Sequence, residues 1–514
     1  MPEAASRVQT PPQTAQSVPP SAENEFGSGV VSGSLRTRST RGAALALTSQ
    51  VSRAAIRIGS TAVLARLLLP ADFGTVALVL AVTGFFTVFN DAGLSSATVQ
   101  RKNIDQAQMS AMFWLNALVG CAMFLLTCLA SPVIAWFYHD SRLIAVGCAV
   151  GSGFALSAFG MQHQALLRRR MQFGSLVAAE LASAILSTLF GVALARAGFH
   201  YWALVGMQLA QYGVYTLATW IASRWMPSRP SRVAGTLPMI VFGRNVTAFN
   251  ILNCLGRNLD NILIGWKWGP KVLGLYANAY QLLLLPLSQI INPLSSVAVP
   301  ALSRLQSEPD RFRRYYLHSL TMGIYITSTL MVTLFVFADE FVLLLLGPQW
   351  HDAGRLFRVL ALSGIWQPVL STTGWLYTSL DRSALMVRWG LISSLVESLS
   401  FLCGMHWGPV GIAAAYGVAE TLLMYPGLRL ATTGTPVTAG MILRTTTTPL
   451  VATALVGAAV YYCKTFLNGS GQLWTILVSL ATAIAATLLL CLISRTLRKD
   501  LGELFGGLRS LLPA

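Results

Sequence analysis

Two polar stripes hold the side chains best equipped for chemistry. Gln50, Arg53, Arg57, Ser60 and Thr61 recur at i, i+3, i+7 and i+10/i+11 in a segment otherwise built from small and aliphatic residues. Asn250, Asn253, Arg257, Asp260 and Asn261 repeat the pattern at an offset of 200. That period places each set on one face of an α-helix. Arginine inside a membrane-length apolar segment is costly and usually lines an interior pathway. A guanidinium keeps its charge at any relevant pH and binds phosphate oxygens in pairs. Arg57 and Arg257, with Arg53, are therefore candidate ligands for an anionic substrate. Gln50, Asn250, Asn253 and Asn261 are candidate polar contacts for the rest of a substrate. The structural alternatives are snorkelling of Arg53 and Arg57 to headgroups, pairing of an arginine with Asp260, and helix-joining asparagines.

Four carboxylates fall in or beside apolar segments: Glu180, Asp260, Glu397 and Glu420. An intramembrane carboxylate can bind and release a proton or a sodium ion, so these are the ion-coupling candidates, with structural pairing as the alternative. Catalytic patterns are missing from the sequence. No GxxxxGK[ST] or HExxH occurs, the six histidines are scattered and the seven cysteines stand singly. No cofactor, metal or enzymatic activity is expected.

These stripes need long helices to carry them, and composition supplies such helices. Of 514 residues, 54% are hydrophobic and 11% charged, which excludes an ordinary soluble protein and points to an all-α polytopic membrane protein. The net charge of +17 is spread over short clusters between apolar segments, so it marks cytoplasmic loops and not a nucleic-acid surface. Fourteen spans are expected, near 42–69, 73–91, 110–137, 142–165, 174–196, 201–222, 238–267, 272–293, 315–337, 354–379, 385–404, 409–430, 438–463 and 472–493. Placing both termini in the cytoplasm puts most basic clusters inside, Arg168-Arg169-Arg170 among them.

Landmarks recur between the halves. Pro70, Gly74 and Ala77 answer Pro270, Gly274 and Ala277, and Leu94-Ser95-Ser96 answers Leu294-Ser295-Ser296. Six helices separate the copies, so they form parallel repeats, a transporter design whose substrate site lies between the repeats. The expected organisation is a polar tail (1–40), two six-helix bundles (41–225 and 226–431), two further helices (432–494) and an amphipathic cytoplasmic tail (495–514).

Several stretches resemble a known family. Ala65-Arg66-Leu67-Leu68-Leu69-Pro70-Ala71-Asp72-Phe73-Gly74, Asp91-Ala92-Gly93-Leu94-Ser95-Ser96-Ala97, Val99-Gln100-Arg101, Phe113-Trp114-Leu115-Asn116 and the Ala165–Phe173 stretch are similar to the polysaccharide transporter branch of the multidrug/oligosaccharidyl-lipid/polysaccharide (MOP) exporter superfamily. The Wzx-type, colanic-acid-exporter-like subgroup is the nearest in pattern. The resemblance is dense over 45–175 and thins beyond. It implies a flippase for undecaprenyl-diphosphate-linked oligosaccharide repeat units in a bacterial inner membrane, working by alternating access in exopolysaccharide or O-antigen synthesis. It also implies membrane lipids, a polymerase and glycosyltransferases as partners. The alternatives are a cation-coupled multidrug exporter and a peptidoglycan lipid-precursor flippase.

Overall fold

The computed structural model describes residues 35–90, 98, 104–229, 258–467, 474, 478 and 480–487. These residues are helical almost throughout, and seven helical stretches among them combine the length and apolarity needed to cross a membrane. The chain is a multi-pass membrane protein. Arg257, Asn250, Asn253, residues 1–34 of the expected first tail, the tail at 495–514 and the Leu94-Ser95-Ser96 landmark lie outside the described residues, and residues 35–40, expected in the polar tail, are helical.

The first half contributes α1 (Leu35–Leu67), α2 (Pro70–Asn90), α3 (Gln106–Tyr138), α4 (Arg142–Arg169), α5 (Phe173–Arg196) and α6 (Tyr201–Ser223). Proline opens α2, where its missing N–H costs nothing, and Asp72 accepts a hydrogen bond from the Leu69 N–H at 3.0 Å. Asp105 caps α3 by accepting from the Gln108 N–H at 2.6 Å. With no hydrophobic drive between helices in lipid, close approach depends on small residues. A Cβ added at Gly120 would collide with Ala158, and one added at Gly147 or Gly151 with Ser131 or Thr127, so α3 and α4 pack backbone to backbone. Gly153 and Gly160 serve the same end against Tyr212 and Thr216 of α6.

The second half contributes α7 (Leu259–Arg304), α8 (Pro309–Val336), α9 (Ala338–Leu346), α10 (His351–Gly364), α11 (Gln367–Ser379), α12 (Ser383–Gly404) and α13 (Gly408–Thr432), followed by α14 (Ala439–Phe466). Helix α7 is kinked at Gly269, whose φ of 76° and ψ of −175° suit glycine alone, and Pro270 restarts the helix immediately after. The short loop expected at 266–270 is thus a kink within a longer helical rod. Two other expectations need correction. The span expected at 354–379 is two helices, divided at Ile365 and Trp366 with Pro368 in the first turn of α11. The segment from Ala338 to Trp350, expected as a loop, forms α9 and a 3-10 turn.

The halves meet chiefly through α2 and α7. One core joins them: Leu64, Leu68, Val76, Leu78 and Val79 from the first half pack with Ile264, Leu273, Leu283 and Trp350 from the second. At this end the Trp350 indole N–H donates to the Ala65 carbonyl at 2.8 Å, and the Gln349 amide donates to the Leu68 carbonyl at 2.8 Å. The end of the molecule that carries the α1–α2 turn is therefore closed.

Candidate functional site

Below that closure the halves separate around a cavity of about 970 Å³. Its walls are α1, α2, α5, α6 and α7. Helix α1 turns Gln50, Arg53, Arg57, Ser60 and Thr61 into it, the whole stripe expected from the spacing. Helix α2 offers an apolar wall of Phe73, Val76, Ala77, Leu80 and Ala81. Helix α5 adds Glu180, Ser187 and Thr188, and α6 adds Gln208, Gln211 and Tyr212. From α7 and the residue before it come Asn258, Asn261, Asn278, Gln281, Gln289 and Asn292.

The two described arginines differ in state. Arg53 donates to Glu180 at 2.6 Å, a pair spanning α1 and α5. Both side chains remain more than a third exposed in the cavity, so the pair positions charge more than it stabilises the fold. Arg57, one turn further along α1, is exposed to the cavity and its guanidinium has no ion pair or hydrogen bond with the described residues. A guanidinium facing a cavity without a partner among the described residues is chemically able to bind an anion. The remaining polar lining is neutral, carboxamides and hydroxyls that both donate and accept, set against the apolar α2 wall.

Glu180 thus belongs to the large cavity as the partner of Arg53. The other three ion-coupling candidates meet elsewhere. Asp260, Glu397 and Glu420 surround a second cavity of about 270 Å³ inside the second half, among α7, α11, α12 and α13. Helical spacing explains part of this: Tyr416 and Glu420 are one turn apart on α13, as are Tyr276 and Tyr280 on α7. The Tyr276 hydroxyl donates to the buried Asp260 carboxylate at 2.9 Å, and Asp260 also accepts from the Asn261 N–H. The Gln367 amide donates to the Tyr416 hydroxyl at 2.8 Å, and the Tyr416 ring lies 6.0 Å from that of Tyr280. Such a site can take up a cation through oxygen ligands or hold protons on its carboxylates. Among the described residues no cluster of three or more His, Cys, Asp or Glu side chains is close enough to hold a metal ion jointly.

Asn261 on α7 lines the cavity as its polar character suggested, whereas the carboxamides of α6 and those further along α7 were not among the candidates. Asn278, Gln281, Gln289 and Asn292 stand at i, i+3, i+11 and i+14, a helical-face signal that was legible in principle.

A membrane carrier with two halves closed at one end around a polar central cavity is the class this fold defines. The chain matches the family model described as polysaccharide biosynthesis protein over residues 63–355 and belongs to that family. It is 28% identical over 346 residues to the teichuronic acid biosynthesis protein TuaB of Bacillus subtilis, covering 66% of this chain and 71% of that protein. It is 23% identical to the lipopolysaccharide biosynthesis protein WzxC of Escherichia coli, over 76% of this chain and 81% of that one. Against the succinoglycan biosynthesis transport protein ExoT of Rhizobium meliloti the identity is 23%, over 92% and 96%. Among solved structures, the lipid II flippase MurJ in an inward closed conformation matches with a TM-score of 0.69 at 12% identity, covering 88% of this chain and 99% of that one. An inward-facing MATE-family multidrug transporter of the MOP superfamily matches at 0.59, with 12% identity and coverage of 77% and 94%. At these identities the likeness is one of fold, and the chain shares its fold with these transporters.

Proposed function

We propose that this protein is a flippase for polyprenyl-diphosphate-linked oligosaccharide repeat units, with undecaprenyl diphosphate as the carrier, and that it serves exopolysaccharide or O-antigen synthesis. The single observation that carries the reading is the Arg57 guanidinium, without a partner among the described residues, in a large, partly polar cavity between the two halves. In a polysaccharide biosynthesis family, a membrane-embedded cation facing a polar space calls for an anionic head on a hydroxyl-rich cargo. Arg57 binds the diphosphate. Arg53 lends its charge and is held in place by Glu180. The counterpart Arg257 would add a second cation from the facing half. The glycan crosses within the cavity and the prenyl chain stays in the bilayer.

Alternating access follows from rocking of the two bundles (41–225 and 226–431), with the helices of 432–494 attached to the second. The chain sits in the bacterial inner membrane with both termini in the cytoplasm, so the cavity loads from that side. Polymerase and glycosyltransferases of the same pathway are its functional partners. Asp260, Glu397 and Glu420 couple the movement to a cation gradient. A cation-coupled drug exporter fits less well, because the one carboxylate among the described lining of the large cavity is already bound to Arg53.

The test is Arg57→Ala in a glycan-producing strain that lacks the chromosomal copy. Surface glycan should disappear at unchanged protein level, with lipid-linked repeat units accumulating in the inner leaflet. Near-normal export would remove Arg57 from the mechanism.

A further inference from the structure

The cavity is chemically lopsided in a way the repeat does not require. At the positions on α7 that carry Asn278, Gln281, Gln289 and Asn292, the first repeat has Leu78, Ala81, Phe89 and Ala92. Among the described lining, the α2 wall is apolar (Phe73, Val76, Ala77, Leu80 and Ala81) and the α7 wall carries amides, while both lining arginines stand on α1. From Asn278 to Asn292 the ladder covers four turns of one helical face, about 21 Å at the usual rise. Asn278 donates to the Gly274 carbonyl at 3.0 Å, which anchors the end of the ladder nearest the closure. Gln281, Gln289 and Asn292 make no side-chain hydrogen bond with the described residues, and neither does Gln211 on α6. Each amide carries two donors and an acceptor that water or a ligand must satisfy.

We propose that Gln281, Gln289 and Asn292, with Gln211 opposite, form a glycan track: a specificity-determining surface for the uncharged, hydroxyl-rich part of an oligosaccharide, separate from the Arg57 subsite for the diphosphate. This rests on the flippase reading and deepens it. Amides suit the task because sugar hydroxyls also donate and accept, so each contact exchanges readily with water. Neutral groups bind each sugar weakly and release it, as a carrier must, whereas a charged ladder would hold or repel according to the sugar's charge. The geometry also separates two demands. The head group fixes where the lipid docks, and the ladder senses how long and how hydroxylated the attached chain is.

The experiment uses the full-length protein in liposomes and two probes drawn from the producing strain: the lipid-linked repeat unit, and the same lipid trimmed enzymatically to its first sugar. The readout is the ratio of the two flipping rates. In a Gln281→Leu/Gln289→Leu double variant this ratio should fall by about tenfold, as expected for two modest hydrogen bonds lost. An unchanged ratio, with both rates lowered alike or neither lowered, overturns the track. If the leucine variant does not fold, Gln281→Asn/Gln289→Asn decides: it keeps the amides but withdraws each by one methylene, and the ratio should still fall by about threefold. An unchanged ratio there overturns the proposal as well. Wild-type protein that moves neither lipid would instead sink the flippase reading, and the track with it.

Discussion

Gly74 on α2 and Gly274 on α7 lie against each other's helix, each where a Cβ would overlap the other helix's backbone. A methyl at Gly74 would fall on the Pro270 carbonyl, and one at Gly274 on the Pro70 carbonyl. The two Pro–x–x–x–Gly turns, identified by their offset of 200, thus touch reciprocally at the closed end of the cavity. Only a residue with no side chain lets the backbones approach this closely. Gly274→Ala is predicted to hold that end apart. With a single cysteine at Ala77 in a cysteine-free background, a membrane-impermeant thiol reagent applied from the side of the α1–α2 turn should label the alanine variant several-fold faster. Equal labelling would show that the contact is not the closing seam.

The Arg53–Glu180 pair makes a second prediction, because its two members have opposite effects on an anion. Arg53→Ala leaves Glu180 as an uncompensated negative charge beside the proposed diphosphate position. Transport should fall by about tenfold or more, since a charge-assisted hydrogen bond is worth about 1.5–3 kcal/mol. Removing both, Arg53→Ala/Glu180→Ala, should recover part of that loss. A double variant as impaired as the sum of the single ones would mean the residues act independently.

How legible this site was in the sequence depended on contrast. The α1 stripe stood out because Arg53 and Arg57 interrupt an aliphatic background at helical spacing. The amide ladder on α7 did not, since its middle turns are leucines and its run is punctuated by Pro286 and Pro293, which reads as scaffold. Asp260, Glu397 and Glu420 were identifiable one by one as intramembrane acids, yet they come from three helices and only packing brings them to one cavity. The Pro70 and Pro270 turns were visible as a repeat, but their mutual contact is a property of tertiary structure. The division between α10 and α11 was hidden because hydropathy measures apolar length and is blind to a break inside it.

Trp350 offers a stability test of the interface between the halves. It is fully buried, donates to the Ala65 carbonyl, and meets the Phe73 ring edge-on at 5.1 Å. Trp350→Ala should cost about 3–5 kcal/mol from the cavity left behind, with a further loss for the orphaned carbonyl. Thermal unfolding of the purified protein in detergent measures this. Trp407→Ala, at a side chain 76% exposed, is the control and should leave the midpoint nearly unchanged. Similar shifts for both would mean that Trp350 is not a keystone between the halves.

The second cavity makes the sharpest prediction about energy supply. Its three carboxylates sit in the half of the protein that lacks the Arg53–Glu180 pair, so a cation bound there, as proposed, would act on the carrier's conformation without contacting the cargo. Moving one charge through a potential of 100 mV supplies about 2.3 kcal/mol, enough for at most about a fortyfold acceleration. In liposomes, wild-type flipping should rise when a proton or sodium gradient is imposed. Glu420→Gln, which keeps the shape but removes the charge, should flip at a rate indifferent to either gradient while still binding the lipid-linked substrate through Arg57. A Glu420→Gln variant that responds to the gradient as strongly as wild type would exclude this carboxylate from coupling. Asp260→Asn would then test whether the buried acid held by Tyr276 carries the role instead.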